Sequence, residues 1–212
     1  MVIANGIDVD RFVEAKPFAA RELPWATGPR VVGYVGRFDR VKNLPLLLRS
    51  FARIAGENAG KYRLALVGYG SEEAVLRRMA VTLGISELVH FPGATRVPER
   101  WYKSFTCHCL PSTAEGFGLT LVEAMAAGIP VVAIRTPVTV GIVRDTIDGL
   151  LIDRSDADLL ADALQGVMNV SVASSSFPIS SHLTPESSAQ YVRQLFSMSR
   201  MVELYAKFFK NF

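Results

Sequence analysis

The chain has 212 residues, half of them apolar, with 23 Lys and Arg against 20 Asp and Glu for a formal charge of +3. That length suits one domain, or one domain with an appendage, and the mild charge contains no basic run of the kind that grips nucleic acid; Arg77-Arg78 reads as a solvated helix face. No apolar run approaches the ~18 residues of a membrane-spanning helix, and the N-terminus lacks the shape of a signal peptide, so a cytoplasmic location compatible with peripheral membrane contact is expected.

In chain order, short apolar runs alternate with helix-period segments, which predicts an α/β fold: a parallel sheet with helices on both faces. Val2 and Ile3 open a short strand, ended by the turn signal Asn5-Gly6. Residues 13 to 29, with Pro17, Pro24 and Pro29, read as irregular. Val31 to Val35 form the first core strand, closed by Gly36. The segment Gly36-Arg-Phe-Asp-Arg-Val-Lys-Asn then leads into a helix with Leu44, Leu47, Leu48, Phe51 and Ile54 on one stripe. Arg37 and Lys42 therefore lie at a strand's carboxyl end and a helix's start. Open α/β sheets place ligands there, and two cations at that point suit a diphosphate, although either alone reads as surface charge.

Leu64 to Val67 is the second core strand, followed by Gly68-Tyr-Gly-Ser. A helix is predicted over Glu72 to Leu83, with Ser71 as N-cap and Gly84 as stop. Val89-His-Phe-Pro-Gly is the third strand, with His90 a packed strand histidine. Glu99 to Phe105 make a short helix whose Trp101 and Tyr102 belong to the core. Cys107 and Cys109 are two apart on a strand, so they share a face and cannot easily bridge. They read as free buried thiols, and Cys-His108-Cys lacks the second ligand pair of a zinc site.

The stretch from Ser112 to Ala133 organises the rest. Glu115-Gly116-Phe117-Gly118 is a turn whose glycines let backbone N–H groups face a ligand at the start of a helix. Leu119, Leu121, Val122, Ala124, Met125 and Ala126 supply the helix, Gly128 and Pro130 stop it, and Val131 to Ile134 resume as a buried strand. Glu123 lies eight residues after Glu115, roughly two turns of ~3.6 residues, and in line with the turn. An acid among Leu, Val, Ala and Met is costly if buried alone. Thr136 to Gly141 read as a loop, Asp148-Gly-Leu-Leu-Ile as a strand and Asp156 to Met168 as an amphipathic helix. Residues 170 to 184 read as an irregular loop. Pro185 to Phe196 and Ser199 to Phe209 are terminal helices, the last with an apolar stripe of Met201, Leu204, Tyr205, Phe208 and Phe209.

The string Pro-Ser-x-x-Glu-Gly-Phe-Gly-Leu-x-x-x-Glu-Ala-Met-Ala-x-Gly-x-Pro-Val-Val-Ala resembles the signature of retaining, nucleotide-sugar-dependent glycosyltransferases of the two-lobed (type B) fold, the glycosyl transferases group 1. Gly36-Arg-x-x-x-x-Lys-Asn is similar to that family's donor-diphosphate motif, and Asn5 to Phe12 to its interlobe linker. The resemblance covers roughly residues 2 to 153 and the last helices, all of one lobe. It implies a Rossmann-like domain over 31–169 that binds the nucleotide-sugar donor, preceded by linker and lead-in over 1–30 and followed by loop and helices over 170–212. The match frays at Thr136 to Gly141, where relatives carry a Gly-Gly-x-Pro-Glu-like segment.

The resemblance assigns roles. Arg37 and Lys42 would neutralise the leaving diphosphate, with amides of Gly116, Phe117, Gly118 and Leu119 adding the helix's positive end. Glu115 would hold the donor sugar's hydroxyls and Glu123 the ribose. Gly36, Gly68 and Gly70 would line the nucleotide pocket, and Phe91, Gly93 and Thr95 are candidates for base contact. No metal and no cofactor are expected, only a UDP-, GDP- or ADP-linked sugar as substrate. The acceptor site of such enzymes lies on an N-terminal lobe, so the isolated chain is expected to transfer little, and its last helix to seek that lobe or a second copy. Two other readings stay open: a catalytically silent nucleotide-binding or scaffolding module, and a nicotinamide-dependent dehydrogenase, disfavoured because the first strand exits without the three-glycine fingerprint.

Overall fold

Six short runs dominated by Val, Leu, Ala and Cys form one parallel sheet in the computed structural model, which describes residues 3–25, 28–57, 60–169 and 185–210. The strands are β1 Arg30–Val35, β2 Tyr62–Val67, β3 Val89–Gly93, β4 Cys107–Leu110, β5 Val131–Ile134 and β6 Gly149–Ile152, in the order β3-β2-β1-β4-β5-β6. The residues of β1, β2, β4, β5 and β6 are buried almost without alternation, as a parallel sheet covered on both faces requires, whereas the edge strand β3 is buried only at Val89. The strand order reverses between β1 and β4, whose pairing sets Val32 against Cys107 and Gly33 against His108. In an open α/β sheet that reversal leaves a crevice at the carboxyl ends of the two strands.

Helices α1 Val9–Val13, α2 Leu44–Glu57, α3 Glu73–Thr82, α4 Pro98–Lys103, α5 Leu119–Ala126, α6 Pro137–Val140, α7 Ala157–Met168, α8 Pro185–Phe196 and α9 Met198–Lys210 complete the described chain. One layer joins α2 to α3 and α7; the other joins α5 to α1, α4 and α8. The stripe predicted for α2 is buried in full at Leu44, Leu47, Leu48, Phe51 and Ile54. Each such side chain contributes about 1.5–3 kcal/mol by leaving water. Asp156 caps α7 by accepting from the amides of Asp158 and Leu159.

Cys107 and Cys109 are free and buried, and burial pushes the Cys107 thiol up to about 12, so both stay protonated. His108 lies between them with Tyr34 stacked on it and Tyr102 edge-on; burial lowers its pKa to about 3 and keeps it neutral.

Several expectations are corrected. Ile3 is not in a strand (Val2 lies outside the described residues), and the nearby pairing is a single bridge from Ile7 to Ser197. Irregular chain does not begin at residue 13: Val9–Val13 is a helix ending there, capped by Asp8 accepting from the Arg11 amide, and Ala20–Glu22 is a 3-10 turn. Ser71 does not cap α3, whose capping residue is Glu72 with no side-chain bond to the helix. Thr136 to Gly141 is not a loop, because Thr136 and Thr139 cap each other across the first turn of α6, with Pro137 at its start. The loop predicted over 170–184 falls outside the described residues. On α9 no residue is buried, and Val202, Tyr205 and Phe209 are largely exposed. Among the described residues no helix is long and apolar enough to cross a membrane.

Candidate functional site

A hollow of about 290 Å³ opens at the strand-order reversal, floored by the ends of β1 and β4 through Tyr34, Val35 and Leu110. Gly36, Arg37 and Lys42 line one wall; Glu115, Phe117, Gly118, Leu119 and Thr120 line the other. Two segments more than 70 residues apart in the chain thus face each other because β1 and β4 are neighbours. They are also tied together. The Thr113 amide donates to the Val41 carbonyl at 3.1 Å, and the Lys42 ammonium donates to Glu115 Oε1 at 2.7 Å. That ion pair is well shielded, with the Glu115 side chain only 8% exposed and that of Lys42 19%. The hydroxyl of Tyr34 donates to the Arg37 carbonyl at 2.8 Å, which steadies the backbone where the guanidinium departs. Burial first, then the nearby carboxylates of Glu115 and Asp39, raise the Tyr34 pKa, so the phenol stays protonated.

Gly118 begins α5 in the left-handed region at φ 77°, a conformation that glycine adopts without penalty, and no side chain caps the helix. The residues that carry its first N–H groups, Gly118, Leu119 and Thr120, line the hollow, and no side chain caps them. With the positive end of the helix and two cations, they form a place for an anion. Arg37 is the more open cation, with 73% of its side chain exposed and its guanidinium paired to Asp39 at 2.9 Å.

The remaining predicted residues stand off the hollow. Gly68 serves a close approach: a Cβ there would lie 1.8 Å from the Gly36 carbonyl oxygen, so only glycine lets the exits of β2 and β1 meet. Gly70 packs in the same way on the backbone of Phe38, and Gly68 N–H donates to the Gly93 carbonyl. Phe91 meets Phe38 edge-on, with the Arg77 guanidinium 4.4 Å from its centroid, and Thr95 Oγ1 accepts from the Val97 amide. Gly116 lies in the turn without lining the hollow. Glu123 points to α4, where its carboxylate accepts from the Tyr102 hydroxyl at 2.8 Å; burial raises its pKa and that hydrogen bond opposes the rise. His90 is half-buried against Trp25 and Trp101, and burial together with Arg77 lowers its pKa.

Sequence reasoning missed Tyr34 and Thr120 at the hollow and Asp39 as the partner of Arg37, and assigned Tyr102 to the core without its polar contact. A signal existed for two of them. Tyr34 is the polar-tipped residue of the apolar run Val31–Val35, two before the glycine that ends it, and Asp39 lies between the two cations of the motif.

A family model for glycosyl transferases group 1 matches residues 15–175. The chain is 37% identical over 177 residues to a D-inositol 3-phosphate glycosyltransferase of Corynebacterium jeikeium, covering 77% of this chain and 42% of that protein. A protein of the same name from Mycolicibacterium smegmatis is 33% identical over 215 residues, covering 96% of this chain and 48% of its own length. The chain thus spans about half the length, or less, of these relatives. Among solved structures, Anabaena Alr3699/HepE in complex with UDP and glucose superposes with a TM-score of 0.82 at 24% identity, covering all of this chain and 57% of that one. Sucrose-phosphate synthase of Thermosynechococcus elongatus superposes equally well at 25% identity, over 52% of its length. The sheet and its helices are the Rossmann-like lobe found in type B glycosyltransferases, and the chain belongs to the glycosyl transferases group 1 family.

Proposed function

We propose that the chain is the donor-binding lobe of a retaining glycosyltransferase, which holds a nucleotide-sugar while its sugar passes to an acceptor bound on another lobe. The observation that carries this reading is the convergence of Arg37, Lys42 and the uncapped start of α5 on one hollow at the strand-order reversal. Breaking the glycosidic bond to a nucleoside diphosphate places growing negative charge on the departing phosphate. Fixed donors aimed at that charge are the strongest lever a protein has, worth ~3 kcal/mol for one well-placed group. Arg37 and Lys42 neutralise the diphosphate, and the amides of Gly118 and Leu119 add the positive end of α5. Glu115, already anchored by Lys42, holds the hydroxyls of the donor sugar and so fixes its anomeric carbon. Glu123, which stands off the hollow with its carboxylate held by Tyr102, is assigned to the ribose on the family resemblance alone. The exits of β2 and β3, with Gly68, Gly70, Phe91, Gly93 and Thr95, form the nucleoside side. The solved Anabaena neighbour was obtained with UDP-glucose, which agrees with a uridine or similar nucleotide here.

The test is calorimetric titration of the 212-residue chain with UDP-, GDP- and ADP-linked sugars and the free diphosphates. Binding of one nucleotide class is expected, weakened at least tenfold in Arg37→Ala and in Lys42→Ala, with little sugar transfer by the chain alone. Binding that ignores both substitutions defeats the assignment.

A further inference from the structure

The two cations of the hollow are not free in the unliganded chain. Lys42 is paired with Glu115 and Arg37 with Asp39, so the four groups sum to zero charge before any ligand arrives. The two pairs differ in kind. Glu115 is shielded and lines the hollow, and its bond to Lys42 joins the two walls. Asp39 stands at the N-cap of the 3-10 turn Arg40–Lys42, where a carboxylate usually accepts from the turn's amides. It makes no such side-chain bond, and the turn is closed by backbone alone, the Lys42 amide donating to the Asp39 carbonyl at 2.9 Å. The Asp39 carboxylate is directed instead to the Arg37 guanidinium at 2.9 Å, and its charge adds to burial and Glu115 in raising the pKa of Tyr34 on the hollow's floor. A carboxylate beside an anion site, serving neither the fold nor the wall, stands where a ligand phosphate would compete with it.

We propose that Asp39 is an internal competitor for the Arg37 guanidinium, which limits the affinity of the hollow for a diphosphate and so favours its departure after the sugar has left. The inference rests on the reading of the hollow as a diphosphate site and adds a residue that opposes binding. It predicts an inverted phenotype: removing the charge of an acid at the site tightens the ligand. Asp39→Asn keeps the shape and removes one like charge from a half-buried position. The expected gain in affinity for UDP and for inorganic pyrophosphate is roughly three- to tenfold, falling at high salt. Uridine, which carries no phosphate, gains nothing.

The experiment is titration of the wild-type chain, Asp39→Asn, Arg37→Ala and the double variant with pyrophosphate, UDP and uridine at low and high salt, with Asp39→Ala as a second substitution. In the Arg37→Ala background the gain from Asp39→Asn shrinks below twofold, because the contested guanidinium is gone. Equal or weaker binding by both Asp39 variants overturns the proposal and makes Asp39 an orienting partner of Arg37. A gain that persists undiminished without Arg37 overturns it too. If the wild-type chain binds neither pyrophosphate nor any nucleoside diphosphate, the diphosphate site itself fails, an outcome distinct from the other two.

Discussion

Tyr102→Phe isolates a single hydrogen bond to the buried carboxylate of Glu123. The ring remains packed against Phe12, Phe105 and His108, so no cavity opens; what disappears is the 2.8 Å donation from the Tyr102 hydroxyl. A hydrogen bond to a charged group is worth about 1.5–3 kcal/mol, against about 1 kcal/mol for a neutral pair. The direction of the pH dependence follows from burial. Desolvation raises the Glu123 pKa above its ordinary 4.5, so its contribution to stability is most favourable below that value and is lost as pH rises through the folded pKa. Tyr102 recovers part of that loss by stabilising the charged form. Its removal therefore costs about 2 kcal/mol at pH 7.5 and about 1 kcal/mol at pH 4, where the carboxyl is largely protonated in both states. In a domain of this size the former lowers Tm by about 4–8 °C. Urea unfolding at both pH values, with unchanged m, measures the difference, and the variant should also bind nucleotide more weakly through a less ordered Glu123. A cost that is the same at pH 4 and pH 7.5, or none at all, would refute the charged hydrogen bond as the reason for the contact.

Two further outcomes are expected. Lys42→Met leaves Glu115 shielded without its cation and costs about 1–3 kcal/mol in chemical unfolding, whereas Lys42→Met combined with Glu115→Gln recovers more than half of that cost; additive costs would show that the pair is not coupled. On α9, Phe209→Glu replaces a ring that is 68% exposed, so Tm shifts by less than about 1 °C, while sedimentation moves toward monomer if the wild-type chain self-associates through this face. A large loss of Tm would show that the ring packs on the chain itself.

Local chemistry carried far along this chain. The runs Val31–Val35, Leu64–Val67 and Val131–Ile134 are apolar over the length of a strand. The α2 stripe repeats at helical spacing, and Gly128 and Pro130 end α5, so element type and the parallel class were legible from neighbours within a few residues. The misses were where two local options are close in energy. Ser71 is a good capping residue, but the chain enters α3 through Glu72. Thr136 and Pro137 could end a strand in a loop or start a helix, and Thr139 settles it by bonding both Thr136 and the Ile134 carbonyl.

The turn around Glu115 and the pair Arg37 and Lys42 suited an anion held by a helix start, and it was the resemblance to the glycosyltransferase motifs that tipped the reading of the two cations from surface charge to function. That the two lie together was implied only by the resemblance, not by composition, periodicity or spacing. That depends on β1 and β4 being neighbours at the point where strand order reverses, a choice made by the packing of α2 with α7 and α5 with α8 on opposite faces. Nor could sequence pair Lys42 with Glu115 or Tyr102 with Glu123, separated by 73 and 21 residues. Periodicity and capping act over one or two turns, whereas the Lys42–Glu115 pair that joins the walls of the hollow exists only once β1 and β4 lie side by side.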